Sequence, residues 1–160
     1  ATEIEVVGKQ WEWNFRLPGK DGKLGKTSIS EISDDNFFGI DPKDPNGQDD
    51  IIVEGDDLHM PMGKPIKVLL RSTDVLHNFF VPEFRAKMDL VPGMITYVWL
   101  TPNRSGTFDI MCSELCGVGH HTMRGAVVVE EDDAYKEWIA EQSTFAQSLN
   151  IDENVKLAKN

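Results

Sequence analysis

Apolar segments in this chain are short, none exceeding about five residues before a proline, a glycine or a charge cuts it. Ile51–Val53, Ile66–Leu70, Ile95–Leu100, Thr107–Met111 and Ala126–Val129 carry the β-branched and aromatic enrichment of strands. Glu3–Val7 alternates. In a second strand Trp11, Trp13 and Phe15 fall on one face while Gln10, Glu12 and Asn14 take the other. Gly19-Lys20-Asp21-Gly22 signals a turn, and Pro61, Gly63, Pro92-Gly93, Pro102 and Gly106 punctuate the later segments. Helical spacing is convincing only near the end, where Asp132 or Asp133 can cap a helix along which Tyr135, Trp138, Ile139 and Phe145 recur. The expected architecture is all-β: a Greek-key sandwich or barrel over residues 1–131, one C-terminal helix over 132–149 and a flexible tail over 150–160.

At 160 residues the chain is the size of one domain with a substantial core. Sixteen Lys+Arg against 27 Asp+Glu give a formal net charge of −11, which argues against nucleic acid as a partner. Apolar residues at 40% are too many for a disordered acidic tail. No stretch is long and apolar enough to span a bilayer, and no basic segment followed by an apolar one opens the sequence as a signal peptide would.

The acid is concentrated. Between Glu31 and Asp57 ten carboxylates face one lysine, Lys43, within a loop-like stretch rich in Pro, Gly and Asn. Asp41-Pro-Lys-Asp44-Pro-Asn46-Gly47 lacks the alternating oxygen ligands and terminal Glu of a calcium loop. A solvated acidic loop is the simpler reading, and docking of a cationic partner is compatible with it.

Chemistry gathers between the strand ending at Met111 and the one starting near Gly125. There Cys112, Cys116, His120 and Met123 recur at intervals of four, four and three, which on spacing alone fits one face of a helix. Gly117 and Gly119 would together cost a helix about 2 kcal/mol, so a glycine-rich loop bending around something small fits better. Thiolate and thioether are soft ligands that select copper, whereas zinc has little use for Met. A mononuclear blue-copper site uses one Cys, and here there are two. Two thiolates can bridge two copper ions, each of which needs two further ligands. His120 and Met123 supply two of these four, and His77, just after the Ile66–Leu70 strand, is the best source of another imidazole. His59 lies outside the cluster, and His121 should point away if His120 points inward.

Cys-x-Glu-x-Cys-x3-His-x2-Met, with Asp74-Val75-Leu76-His77 upstream, resembles the CuA domain of cytochrome c oxidase subunit II. Gln10-Trp11-Glu12-Trp13 resembles that family's aromatic segment, and Met60-Pro61-Met62, Val81-Pro82 and Val91-Pro92-Gly93 fall in the family's order. The resemblance runs over roughly residues 3–130 and weakens over an acidic insertion at about 16–50. It implies a cupredoxin-like Greek-key sandwich.

The resemblance also implies roles. Cys112 and Cys116 would bridge two coppers, with His77 and Met123 completing one metal and His120 and the Glu114 backbone carbonyl completing the other. The Glu114 carboxylate would help bind magnesium or manganese at the interface with subunit I. Trp11 would receive electrons from cytochrome c, Asp74 matches an acidic docking position, and Asp89 matches a carboxylate near the subunit I interface. Where many members carry Arg after Pro92-Gly93, this chain has Met94. The implied function is one-electron transfer from cytochrome c to haem in subunit I, with no oxygen reduction by this domain itself.

Members normally have two transmembrane helices ahead of the aromatic segment. The chain is therefore expected to be a soluble fragment of a longer membrane subunit, on the outer face of the bacterial cytoplasmic membrane or the mitochondrial intermembrane-space side. Three other readings stand beside this one: the CuA domain of a nitrous oxide reductase, which usually has Trp where this chain has Glu114; a structural zinc module on Cys112, Cys116, His120 and His77; and a Cys112–Cys116 disulfide without metal.

Overall fold

A computed structural model describes residues 1–149. Ten strands form two five-stranded sheets. The first has the order β3 (Ile51–Glu54), β2 (Glu12–Leu17), β1 (Thr2–Lys9), β5 (Ile66–Ser72) and β8 (Thr96–Leu100). The second has the order β4 (Leu58–Pro61), β10 (Arg124–Glu130), β9 (Gly106–Cys112), β6 (His77–Val81) and β7 (Ala86–Leu90). Strand β1 runs antiparallel to β2, the next strand in sequence, and parallel to β5, which lies far along the chain. This is the all-β sandwich expected from the short β-rich segments.

The inner faces meet in one core. Ile4, Val6, Trp13, Phe15 and Leu17 oppose Leu58, Met60, Phe79, Val81, Ile110 and Val127. Trp13 meets Phe79 edge-on, with ring centroids 5.7 Å apart at 89°, the arrangement that sets a positive ring edge against a negative face. Burying each such side chain stabilises the fold by about 1.5–3 kcal/mol.

Strands β4, β6 and β7 are not among those expected from the sequence. β4 ends on a proline, β6 opens with buried His77 and Asn78, and β7 alternates Lys87 and Asp89 with apolar residues. His77 therefore starts a strand of its own. β2 starts one residue after Trp11, which sits in the β1–β2 turn and not on the strand face of Trp13 and Phe15.

Both faces of β2 are buried, because residues 18–50 cover the outer side of the first sheet. Phe37, Phe38 and Ile40 from this cover pack on Val7 together with Phe145. Beneath it, Arg16 donates to Glu5 at 2.6 Å and to Asp50 at 2.9 Å, and Arg71 binds the other oxygen of Glu5. Asp50 also accepts the Gly25 amide at 3.0 Å, and Arg71 donates to the Phe38 carbonyl at 2.6 Å. Asp41 and Asp44 cap amides of Lys43, Lys26 and Asn46, the turn chemistry of an acidic loop whose carboxylates serve its own backbone.

The C-terminal helix spans Asp132–Glu141, shorter than the expected 132–149. Glu131 is its N-cap and makes no side-chain cap bond, while the Asp132 carboxylate is taken by Lys64 and Lys136. Phe145 follows the helix and joins the cover over β1. The expected tail at 150–160 lies outside the described residues.

Candidate metal centre

Three connections converge at one end of the sandwich: the β1–β2 turn, the β5–β6 turn and the loop from β9 to β10. Phe79 pairs with Cys112 across β6 and β9, which brings the start of β6 beside the end of β9. The β9–β10 loop then folds back on itself. Gly117 has φ +112°, and backbone hydrogen bonds from the His120 N–H to the Gly117 carbonyl, from Thr122 to Gly119 and from Met123 to His120 close successive tight turns. These turns replace the helix that the donor spacing alone would allow.

The loop brings its donors together. The sulfurs of Cys112 and Cys116 are 3.7 Å apart, His120 Nδ1 is 3.4 Å from Cys116 Sγ, and Met123 Sδ is 3.8 Å from it. The Cys112 thiol lies 3.2 Å from the Glu114 carbonyl oxygen, to which it donates. A ring nitrogen of His77 and both sulfurs all lie within 4.8 Å of one another, in a buried group able to hold a metal ion. Both cysteines are free, and their spacing is far from the ~2.05 Å of a disulfide.

His77 is fully buried. Its Nε2 is 2.8 Å from Asp74 Oδ1, and its Nδ1 has no hydrogen-bond partner. An orphaned nitrogen in a dry site is costly unless something binds it. With two free thiols, a thioether and a second imidazole beside it, the donor set fits a soft metal. Burial, then the neighbouring Cys112 thiol, push the Cys116 thiol up to about 12. Two thiolates this close repel, so a bound cation is what stabilises their deprotonated form.

Trp11 lies against this loop. Its indole N–H donates to the Cys116 carbonyl at 3.0 Å, and the Gln10 side-chain NH2 donates to the same oxygen at 2.9 Å. A β-carbon at Gly119 would fall 2.2 Å from Trp11 Cδ2, so only glycine lets the ring lie flat there. Gly119→Ala should displace Trp11 and destabilise the fold by about 1–3 kcal/mol; chemical denaturation and tryptophan emission would register both changes.

The Glu114 carboxylate has no partner among the described residues. Asp89 is exposed and accepts from Asn78 at 2.7 Å, and Asn78 in turn accepts from Ser113, beside Cys112, at 2.5 Å. Asp74 differs from a free surface acid, since it takes the backbone N–H of Gln10 at 2.7 Å and that of Val75 at 2.6 Å as well as His77. Burial works to raise the Asp74 carboxyl, but the Gln10 and Val75 amides and His77 outweigh it and hold it below its ordinary value. Gln10 and Asn78 join the site without having been expected in it; the position of Gln10 beside Trp11 is the signal that could have found it. His121 is exposed, and His59 pairs with Glu130 at 2.6 Å while stacking on Trp138.

Residues 2–131 match the family model described as cytochrome c oxidase subunit II, periplasmic domain. The chain belongs to this family. It is 59% identical over 146 residues to an alternative cytochrome c oxidase subunit 2 of Bradyrhizobium diazoefficiens, covering 91% of this chain and 53% of that protein. A probable cytochrome c oxidase subunit 2 of Rickettsia felis is 35% identical over 98% of this chain and 46% of its own length. The chain thus spans about half the length of these subunit II relatives.

Among solved structures, the periplasmic domain of subunit II of the Bradyrhizobium japonicum cytochrome oxidase superposes with a TM-score of 0.63 at 29% identity, covering 87% of this chain and 91% of that one. A mixed disulfide between a thioredoxin-like protein and a subunit II of cytochrome c oxidase gives 0.61 at 25% identity, covering 87% and 89%. The fold is the cupredoxin-like sandwich of subunit II. Among the described residues no helix is long and apolar enough to cross a membrane.

Proposed function

We propose that this chain is the electron-accepting domain of a haem-copper oxidase, taking electrons from a cytochrome c on behalf of the haem of subunit I. Cys112, Cys116, His77, His120, Met123 and the Glu114 carbonyl would hold two copper ions. Bound there, the copper pair would supply reversible one-electron chemistry. The observation that carries this reading is the buried, unpartnered His77 Nδ1 in a group with two free thiols.

The protein's part is to hold soft donors rigidly on strand ends, so that little rearrangement accompanies a change of charge. Trp11 would be where electrons enter, because one hydrogen bond joins its ring to the backbone of Cys116. On the β5–β6 turn and the β9–β10 loop, Val75, Leu115 and Val118 expose apolar side chains, which would offer contact to the donor protein. Carboxylates of the 31–57 stretch would steer a cationic cytochrome c, with Asp89 as a local docking charge. Glu114 would lend its carboxylate to magnesium or manganese once subunit I is present. The chain would sit on the outer face of the bacterial cytoplasmic membrane, as the periplasmic description of its family implies. Oxidation would close Cys112 and Cys116 into a disulfide and block loading, so a thioredoxin-like reductant is a fitting partner.

Loading the reduced chain with copper and recording visible and electron paramagnetic resonance spectra tests the reading. Delocalised mixed-valence copper at two ions per chain is expected, and a colourless zinc protein would overturn it. The rate of reaction with reduced cytochrome c should fall as salt shortens the Debye length to about 8–10 Å. Salt independence would remove the steering argument.

A further inference from the structure

We propose that Asp74 is a positioning residue of the metal site, bracing His77 and the Gln10–Trp11 turn at once through the two oxygens of a single carboxylate. This rests on the copper reading above. Oδ1 receives His77 Nε2 at 2.8 Å and Oδ2 receives the Gln10 amide at 2.7 Å. Gln10 and Trp11 then reach the Cys116 carbonyl with their side chains. Asp74 therefore closes a circuit: imidazole to carboxylate, carboxylate to turn, turn to the backbone of the cysteine.

The imidazole has little other guidance. His77 lies edge-on to Trp13, with centroids 6.4 Å apart, and its Cδ2 and Cγ pass close under Gly8. Those are apolar contacts, and they do not distinguish the ring from one rotated by half a turn. The carboxylate does, because it fixes Nε2 as the protonated nitrogen and leaves Nδ1 free to bind. A carboxylate behind the imidazole also makes it a stronger donor and adds negative charge beside the site. Both effects favour the oxidised metal and lower the reduction potential.

Asparagine has the same shape but only one acceptor oxygen, so it can serve His77 or the Gln10 amide and must set its NH2 against the other N–H. In Asp74→Asn, copper affinity should fall about 10- to 100-fold. The reduction potential should rise, and nitrogen hyperfine couplings and Trp11 emission should change. Asp133→Asn makes the same change of net charge on the C-terminal helix and should leave all four readings as they are.

Asp74→Glu keeps both acceptor oxygens and should return the potential toward the native value. If the Asn and Glu variants shift it alike, Asp74 only fills space and the proposal is wrong. In the metal-free protein, nitrogen-15 shifts should place the His77 proton on Nε2 natively and distribute it over both nitrogens in Asp74→Asn; an unchanged tautomer overturns the proposal without any need for copper. An Asn variant that merely reacts more slowly with cytochrome c at low salt, with native affinity, potential and spectrum, makes Asp74 a docking charge and overturns it too. Failure of the native chain to give mixed-valence copper would instead overturn the metal reading itself.

Discussion

Cys112→Ser should abolish the two-copper spectrum of the loaded chain. A serine hydroxyl is a hard, weakly acidic group, and it cannot replace a bridging thiolate between soft ions. Its loss leaves one thiolate, which can serve a mononuclear site but cannot link two metals. Copper per chain should fall from two to at most one, read by metal analysis, and the delocalised paramagnetic signal should disappear. If the mixed-valence signal persists, Cys112 is not a bridge. The fold should survive, because Cys112 lies at the end of β9 and serine is nearly isosteric. Affinity for copper in the native chain should also fall as pH falls, since uptake must displace both thiol protons and burial and the Cys112 neighbour already hold the Cys116 proton tightly.

The second large effect lies away from the metal. Above about pH 7, where Asp50 is charged, Arg16→Met should destabilise the chain by about 3–5 kcal/mol, the cost of leaving a buried charge without its partner. Glu5 keeps Arg71 in this variant, but Asp50 loses its only cation among the described residues. Burial already pushes the Asp50 carboxyl from 3.8 up to about 7, against the lowering influence of the Gly25 amide and Arg16. A carboxyl raised in the folded state holds a proton that the unfolded chain has released. Stability therefore declines as pH rises from the unfolded value toward the folded one. Without Arg16 the folded value climbs further, so the deficit of the variant should widen as pH is raised past about 7. Urea unfolding of both chains at several pH values measures it. A pH-independent deficit would mean that the loss is one of packing alone.

The metal loop was legible because its donors lie within twelve consecutive residues, Cys112 to Met123, and soft ligands at that density single out a soft metal. His77 was legible only as a companion to that loop, since a lone histidine carries no pattern. Strands β4, β6 and β7 were harder: a terminal proline, a buried His–Asn pair and alternating charges disguise their periodicity. What sequence patterning could not convey was tertiary. Asn14 and Arg16 look like the wet face of an amphipathic strand, and only the cover formed by residues 18–50 explains why both are dry. Asp74 looked like a surface acid because nothing in Asp-Val-x-His says that the carboxylate turns back toward its own histidine and toward Gln10, 64 residues earlier.

The double burial of β2 ties distant stretches of sequence to one another in evolution. A subunit II chain with a shorter segment after β2 would bare the outer side of its first sheet, and residues such as Val7 and Arg16 would then face water. The length of that segment and the side chains at positions 5, 7, 14, 16 and 71 should therefore change together across relatives.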